Sequence, residues 1–239
     1  MKRIFSFLII FFLGFSMIYA QTGEDILKNL EQKWSLARDI SMKMSITVYS
    51  YSSKGESLPT KMSMEMKAIK NPEILRIDFT EPALMAGQII LIDGEKKITR
   101  MYSPSTKQII EAPYTMTQTS TMSFSSLPMV GNKEDFSLKV EEIIDKNQKL
   151  YKITGVPLKA DLKANYSSFE FYITKDYTPI KLIVYDVQNR PYIEIAWQNI
   201  KINSNLSPNT LRTFPPGKII KQKEPLNFNT TMPFMAPSK

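Results

Sequence analysis

The sequence predicts a mainly β protein with helices, built on one strongly curved antiparallel sheet or open barrel. Three observations lead there. Apolar and polar residues alternate with period two from about residue 40, and the pattern recurs in about 10–11 segments. Turn residues such as Glu81-Pro82, Asp93-Gly94 and Ser103-Pro104 separate those segments at short intervals. A single amphipathic helix precedes them, and no repeat or linker divides the strand series, so one domain spans 21–239.

The elements come in this order. Between Thr22 and about Arg38, Ile26, Leu27, Leu30, Trp34 and Ala37 carry helical spacing, with Glu24 and Asp25 at the positive N-terminal end. Ile40, Met42, Met44, Ile46 and Val48 then alternate with polar residues, and Met62, Met64, Met66 and Ala68 resume the alternation after the turn at Ser53–Pro59. These two segments form an antiparallel hairpin with one buried face. Further strands are expected near 74–79, 87–92, 97–102 and 107–111, and again near 137–144, 149–155, 167–174, 179–187 and 192–203. The pattern stops between Tyr114 and Asp135, a Ser/Thr-rich stretch with scattered apolar residues that has room for one or two short helices. From Leu206 the chain is rich in proline, and this tail, above all 221–239, is expected to lie over the surface or fray.

Lys2 and Arg3 precede an uncharged apolar run, Ile4 to Ala20, which reads as a secretory signal cleaved near Ala20-Gln21. The alternative is an uncleaved N-terminal anchor, for which the run is at the short limit. Export removes two basic residues and takes the net charge from +8 to +6. Scattered lysines on an exported chain point away from nucleic acid and toward weak, salt-sensitive attraction to anionic membranes.

The chain has no cysteine and no histidine. Disulfides, thiolate and imidazole metal sites, Cys nucleophiles and His-based acid–base schemes are therefore excluded. There is no G-x-S-x-G, S-x-x-K or EF-hand-like loop either, so no enzyme activity, metal or cofactor is expected. What remains is binding. Five of the methionines, Met42, Met44, Met62, Met64 and Met66, fall on the buried face of the first hairpin. Methionine is unbranched and polarizable, so such a wall adapts to acyl chains, although a methionine-rich core gives the same pattern. Met116, Met122 and Met129 in the irregular stretch suit a movable apolar cover.

The motifs carry a resemblance. Asn71-Pro72-Glu73-Ile74-Leu75-Arg76-Ile77-Asp78-Phe79 resembles the Pro-x-x-Phe-Arg-Trp-like stretch of LolA-type periplasmic lipoprotein carriers, with Ile77 where an aromatic is usual. Asp93-Gly94, then Met101-Tyr102-Ser103-Pro104 and Gln108, resembles that family's "DG…YdP…Q" stretch. Asn199 to Asn203, followed by Phe214-Pro215-Pro216-Gly217-Lys218-Ile219-Ile220, is similar to its ending, and Phe124 to Phe136 matches its lid helices in position.

The resemblance covers roughly 24–220 and implies an incomplete, strongly curved antiparallel barrel. An N-terminal helix and a short helical lid close it around a hydrophobic cavity. Met42, Met44, Ile46, Met62, Met64 and Met66 would line that cavity with Phe79 and Leu91, and Met122, Phe124, Leu127 and Met129 would belong to the lid. Arg76 matches the family arginine that closes the lid through backbone carbonyls, a role suited to five donors. Its plain alternative is a strand arginine paired with Asp78.

The function implied is a soluble, monomeric periplasmic carrier. It would take acyl chains of lipoproteins, or lipids, from an inner-membrane lipoprotein-releasing transporter to an outer-membrane acceptor. The alternative is a periplasmic lipid or lipoprotein sensor, or a regulatory binding module, of the same fold. No cysteine follows the apolar run, so the lipid-anchored receptor form is not expected.

Overall fold

The computed structural model describes residues 22–114 and 133–226. The leader expected over residues 1–20 lies outside them. Thr22 caps α1 (Gly23–Ser35): its hydroxyl oxygen accepts from the Asp25 amide while the Asp25 carboxylate accepts from the Thr22 amide. This reciprocal box satisfies two donors that a helix start leaves unpaired. Ile26, Leu27, Leu30 and Trp34 form the buried stripe that the spacing predicts.

The period then changes to two. The chain runs β1 (Asp39–Tyr51), β2 (Ser57–Ile69), β3 (Ile74–Glu81), β4 (Ile89–Asp93), β5 (Ile98–Ser103) and β6 (Gln108–Pro113). A 3-10 turn at Lys133–Asp135 opens the second half, β7 (Phe136–Asp145), β8 (Gln148–Pro157), α2 (Ala160–Lys163), β9 (Tyr166–Thr174), β10 (Pro179–Asp186) and β11 (Pro191–Ile202). α3 (Pro208–Leu211) and β12 (Lys218–Lys221) complete the order.

The twelve strands of the described residues form one sheet in the order β12-β6-β5-β4-β3-β2-β1-β11-β10-β9-β8-β7. Neighbours are antiparallel except β12, which pairs parallel with β6. The sheet does not close, since β12 and β7 remain its edges. Laid flat, it would span roughly 50 Å at the usual strand spacing. Yet side chains from α1, β1–β4 and β7–β11 join in one buried apolar cluster. Only a strongly curved sheet brings them together under one helix.

Twelve strands replace the eleven expected, and the addition comes from the tail. Residues 206–221 lie over the outer face of the sheet, as expected of the tail, but they are anchored there: Leu211 is 1% exposed and packs with Ile69, Ile74 and Leu91, while the rest of the tail, 227–239, lies outside the described residues. Phe214 covers that cluster and a second one made of Ile89, Tyr102 and Ile109. Prolines at 215 and 216 exclude a helix there, but they do not prevent the residues of β12 from pairing with β6. The buried Asp39 fixes the start of this segment, its carboxylate accepting from the Ser204 amide and hydroxyl at 2.8 and 2.9 Å and from the Asn205 amide at 3.1 Å.

Candidate functional site

The inner face carries the site. β1 and β2 pair so that Met42 faces Met66, Met44 faces Met64 and Ile46 faces Met62. The band continues on both sides: Trp197 of β11 lies opposite Met44, and Phe79 of β3 lies opposite Met64. Met42, Met44, Met62, Met64 and Phe79 are buried, while Ile46 and Met66 are half-buried against the same cluster. The sequence therefore placed seven of its eight proposed lining residues on one face.

Leu91 is the correction. It faces outward, fully buried beneath the C-terminal segment with Ile74 and Leu211, while its neighbours Ile90 and Ile92 point inward. β4 is apolar at Ile89, Ile90, Leu91 and Ile92, so alternation alone gives no phase. Pairing sets it, because Leu91 stands opposite Arg76 and so shares its face.

Arg76 is the second correction. Leu75, Ile77 and Phe79 point inward, which sends Arg76 and Asp78 to the outer face. There Arg76 Nε donates to Asp78 at 2.8 Å, Nη1 donates to the Leu211 carbonyl at 2.9 Å and to the Thr213 carbonyl, and the guanidinium lies over the Phe214 ring. Arg76 thus clasps backbone carbonyls, but those of the C-terminal segment. The proposed lid residues Met122, Phe124, Leu127 and Met129 lie outside the described residues.

α1 is held firmly at the end of the inner face where β1 begins. Lys33 Nζ donates to the Asp176 carbonyl at 2.6 Å, the Asp176 carboxylate at 3.1 Å and the Thr178 hydroxyl at 2.9 Å. Asn29 donates to the Tyr177 hydroxyl at 3.1 Å, and Lys70 donates to the Ser35 carbonyl at 2.8 Å. The Thr174 hydroxyl, joined by Lys33 and Thr178 and opposed by burial, draws the Asp176 carboxyl down to about 2. The carboxylate therefore stays charged under any physiological condition.

The opposite end is looser. Side chains of β1 beyond Met44 become half-buried, and Ile193 and Val184 beside them are only partly covered. The surrounding rim presents Leu58, Leu158 and Val187, and Leu84 in the β3–β4 loop is 89% exposed. Register places these together: Ser63 opposes Glu81 and Asp186 opposes Tyr166, so the loops at 52–56, 82–88, 158–165 and 186–190 share one end.

The outer face is polar where the tail leaves it bare. A cleft of about 440 Å³ there is lined by tyrosines at 49, 51, 166 and 192 with Asp186 and Arg190. Arg190 lies 4.0 Å from the centre of the Tyr51 ring and is bonded to Asp186. Nearby, Glu170 accepts from Tyr172, Tyr185 and Lys152. Burial and then this carboxylate push the Tyr185 hydroxyl up to about 12, so it stays neutral. Among the described residues, no group of three or more acidic side chains could hold a metal ion.

Sequence reasoning passed over Trp197 as a site residue, although its alternation with Ile193 and Ile195 marks it as inward. It could not find the Lys33–Asp176 clamp, whose members are 143 residues apart.

No family model and no curated protein matches the chain. Among solved structures it is similar to an uncharacterized conserved protein from Thermus thermophilus, at 16% identity and a TM-score of 0.53, over 84% of this chain and 100% of that one. This likeness is one of fold. A LolA superfamily protein from Nitrosomonas europaea aligns at 14% identity and a TM-score of 0.36, over 81% and 98% of the two chains. The Pseudomonas aeruginosa MucA/MucB complex aligns at 10% identity and a TM-score of 0.49, over 82% and 62%.

Proposed function

We propose that this chain is a soluble periplasmic carrier that binds the acyl chains of lipoproteins, or lipids, against its inner face and moves them toward the outer membrane. The observation that carries the reading is the methionine band of β1 and β2, enclosed by a curved sheet and capped by α1. The sequence motifs shared with LolA-type carriers support it.

The methionine side chains that fill the face can turn aside for an acyl chain, since three rotatable bonds let them repack at low cost. An acyl chain then gains about 0.8 kcal/mol for each buried methylene. Entry is at the loose end, where the half-buried Ile46, Val184 and Ile193 meet the exposed Leu84 and Leu58. Those rim side chains suit contact with a bilayer. Binding this strong does not reverse unaided. Release requires a partner with an equal or better site, which gives the carrier an inner-membrane transporter as donor and an outer-membrane acceptor.

Uptake of labelled lipid from donor vesicles, with mass spectrometry of what co-purifies from the native host, tests the reading. The chain is expected to extract lipid and to arrive from the host with acylated cargo. Met66→Glu should remove uptake while the chain stays folded, because Met66 is only half-buried, and Leu84→Asp should slow it several-fold. Failure to extract any lipid would sink the carrier reading. A membrane signalling protein as sole companion, with no acylated cargo, would favour a regulatory module.

A further inference from the structure

The chain contains two tryptophans, Trp34 and Trp197. Both belong to the inner-face cluster, at 3% and 5% exposure. Trp34 sits in the last turn of α1, and Trp197 lies opposite Met44 with its ring 6.0 Å from that of Phe171. Neither indole Nε1–H meets an acceptor among the described residues. Buried donors are seldom left unpaired, and a buried tryptophan usually finds a partner for its N–H. Leucine or phenylalanine would fill either site without that cost. Two orphaned donors on the face proposed to bind acyl chains therefore point to a ligand that brings acceptors.

The ligand must bring oxygen without charge. Among the described residues the buried charged side chains are Asp39 and Asp93, both engaged by the C-terminal segment, so a free carboxylate on the inner face would meet no buried cation. A pure hydrocarbon would leave both donors unsatisfied. A carboxylic ester meets both conditions: its carbonyl accepts a hydrogen bond, and it is neutral enough to enter an apolar face.

We infer that Trp34 and Trp197 recognise the ester carbonyls of an ester-linked diacyl lipid, so that the inner face reads the linkage as well as the chains. The inference rests on the carrier reading and sharpens it. The same chemistry is present in a free glycerophospholipid and in the diacylglyceryl group of a lipoprotein, which therefore form separate arms of the test.

The delipidated mature chain is titrated with three probes: a diacyl phosphatidylglycerol, its dialkyl ether analogue of equal chain length, and an S-diacylglyceryl-cysteine lipopeptide. Affinity is measured together with the indole ¹H–¹⁵N resonances, of which there are two. Ester probes should bind about tenfold tighter than the ether and shift both indole protons downfield, with the ether leaving them in place. Trp197→Phe should remove most of the ester advantage, so that the ratio of ester to ether affinity falls toward one. Tighter binding of the lipopeptide than of the phospholipid would identify lipoprotein as the source of the ester, and the reverse would identify free lipid. Equal binding of ester and ether with unmoved indoles would overturn the inference and leave the carrier reading standing. Indole protons already downfield without lipid, and unmoved by it, would assign their acceptors to the protein and overturn it too. If none of the probes binds, the carrier reading fails first and the inference falls with it.

Discussion

Replacing Gly155 with valine is expected to destabilise the protein by about 3 kcal/mol, near the upper end for an overpacked core. A Cβ at this position would stand 2.0 Å from Cε1 of Phe169 and 2.3 Å from Cζ, inside any permitted contact. Gly155 lies directly opposite Phe169 across β8 and β9, and the ring lies over the bare backbone there. Nor can the ring swing away. It is 3% exposed and meets the Phe136 ring edge-on at 5.2 Å. Relief would have to come from separating β8 from β9 or from opening the inner-face cluster. For a domain of this size the melting temperature should fall by roughly 6–12 °C, read from thermal unfolding followed by circular dichroism. A shift within about 1 °C would show that Phe169 has another place to go.

The second large effect is expected at the clasp that holds the C-terminal segment. Asp93 is completely buried, and Arg212 donates to it from Nε at 2.7 Å and from Nη2 at 3.1 Å, with the Lys96 amide adding a bond at 3.0 Å. Arg212 also reaches Glu95, and the carbonyls on either side of it in the chain are held by Arg76. Arg212→Met removes the cation and leaves the carboxylate buried without it, which costs about 3–5 kcal/mol. Hydrogen exchange should show residues 206–221 opening ahead of the rest of the sheet.

The same pair predicts an acid response. Burial by itself would raise the Asp93 pKa, but the Arg212 hydrogen bonds, the Lys96 amide and the two positive charges outweigh it and hold the carboxyl below its ordinary value. A carboxyl with a lowered folded pKa stabilises fully above its unfolded value, about 3.9, and that stabilisation is lost as pH falls through the folded one. Segment 206–221 should therefore loosen below about pH 4 in the wild type. The Arg212→Met variant should lose that part of the dependence. Equal acid sensitivity of the two proteins would remove Asp93 from the explanation.

These sites also show where sequence reasoning succeeds and stops. The change from helical to strand period at Asp39 was legible, and so were eleven strands in their order, because each buries one face and alternation records it. The methionine face was legible for the same reason, its registry confirmed by the pairing of Met44 with Met64. Leu91 was not, since a strand buried on both faces has no alternation to read. β12 escaped because four residues after a proline pair make too short a pattern, and its partner lies about 110 positions earlier in the chain. Arg76 was singled out for a lid, whereas the structure shows its plain alternative, the ion pair with Asp78, together with a grip on carbonyls of the C-terminal segment. The segment it grips depends on the face it occupies, and that became clear only when β3 was set against β2.

The central claim is that acyl chains lie against the inner face, along β1 and β2. A fatty acyl lipid carrying a diazirine near the end of its chain tests this most directly. It is loaded onto the protein, photolysed, and the labelled peptides are mapped by mass spectrometry. The account predicts labelling concentrated between Met42 and Met66, and its loss in Met66→Glu. Labelling spread over the tyrosine-lined outer face, or confined to the exposed rim around Leu84 with the methionines untouched, would contradict it.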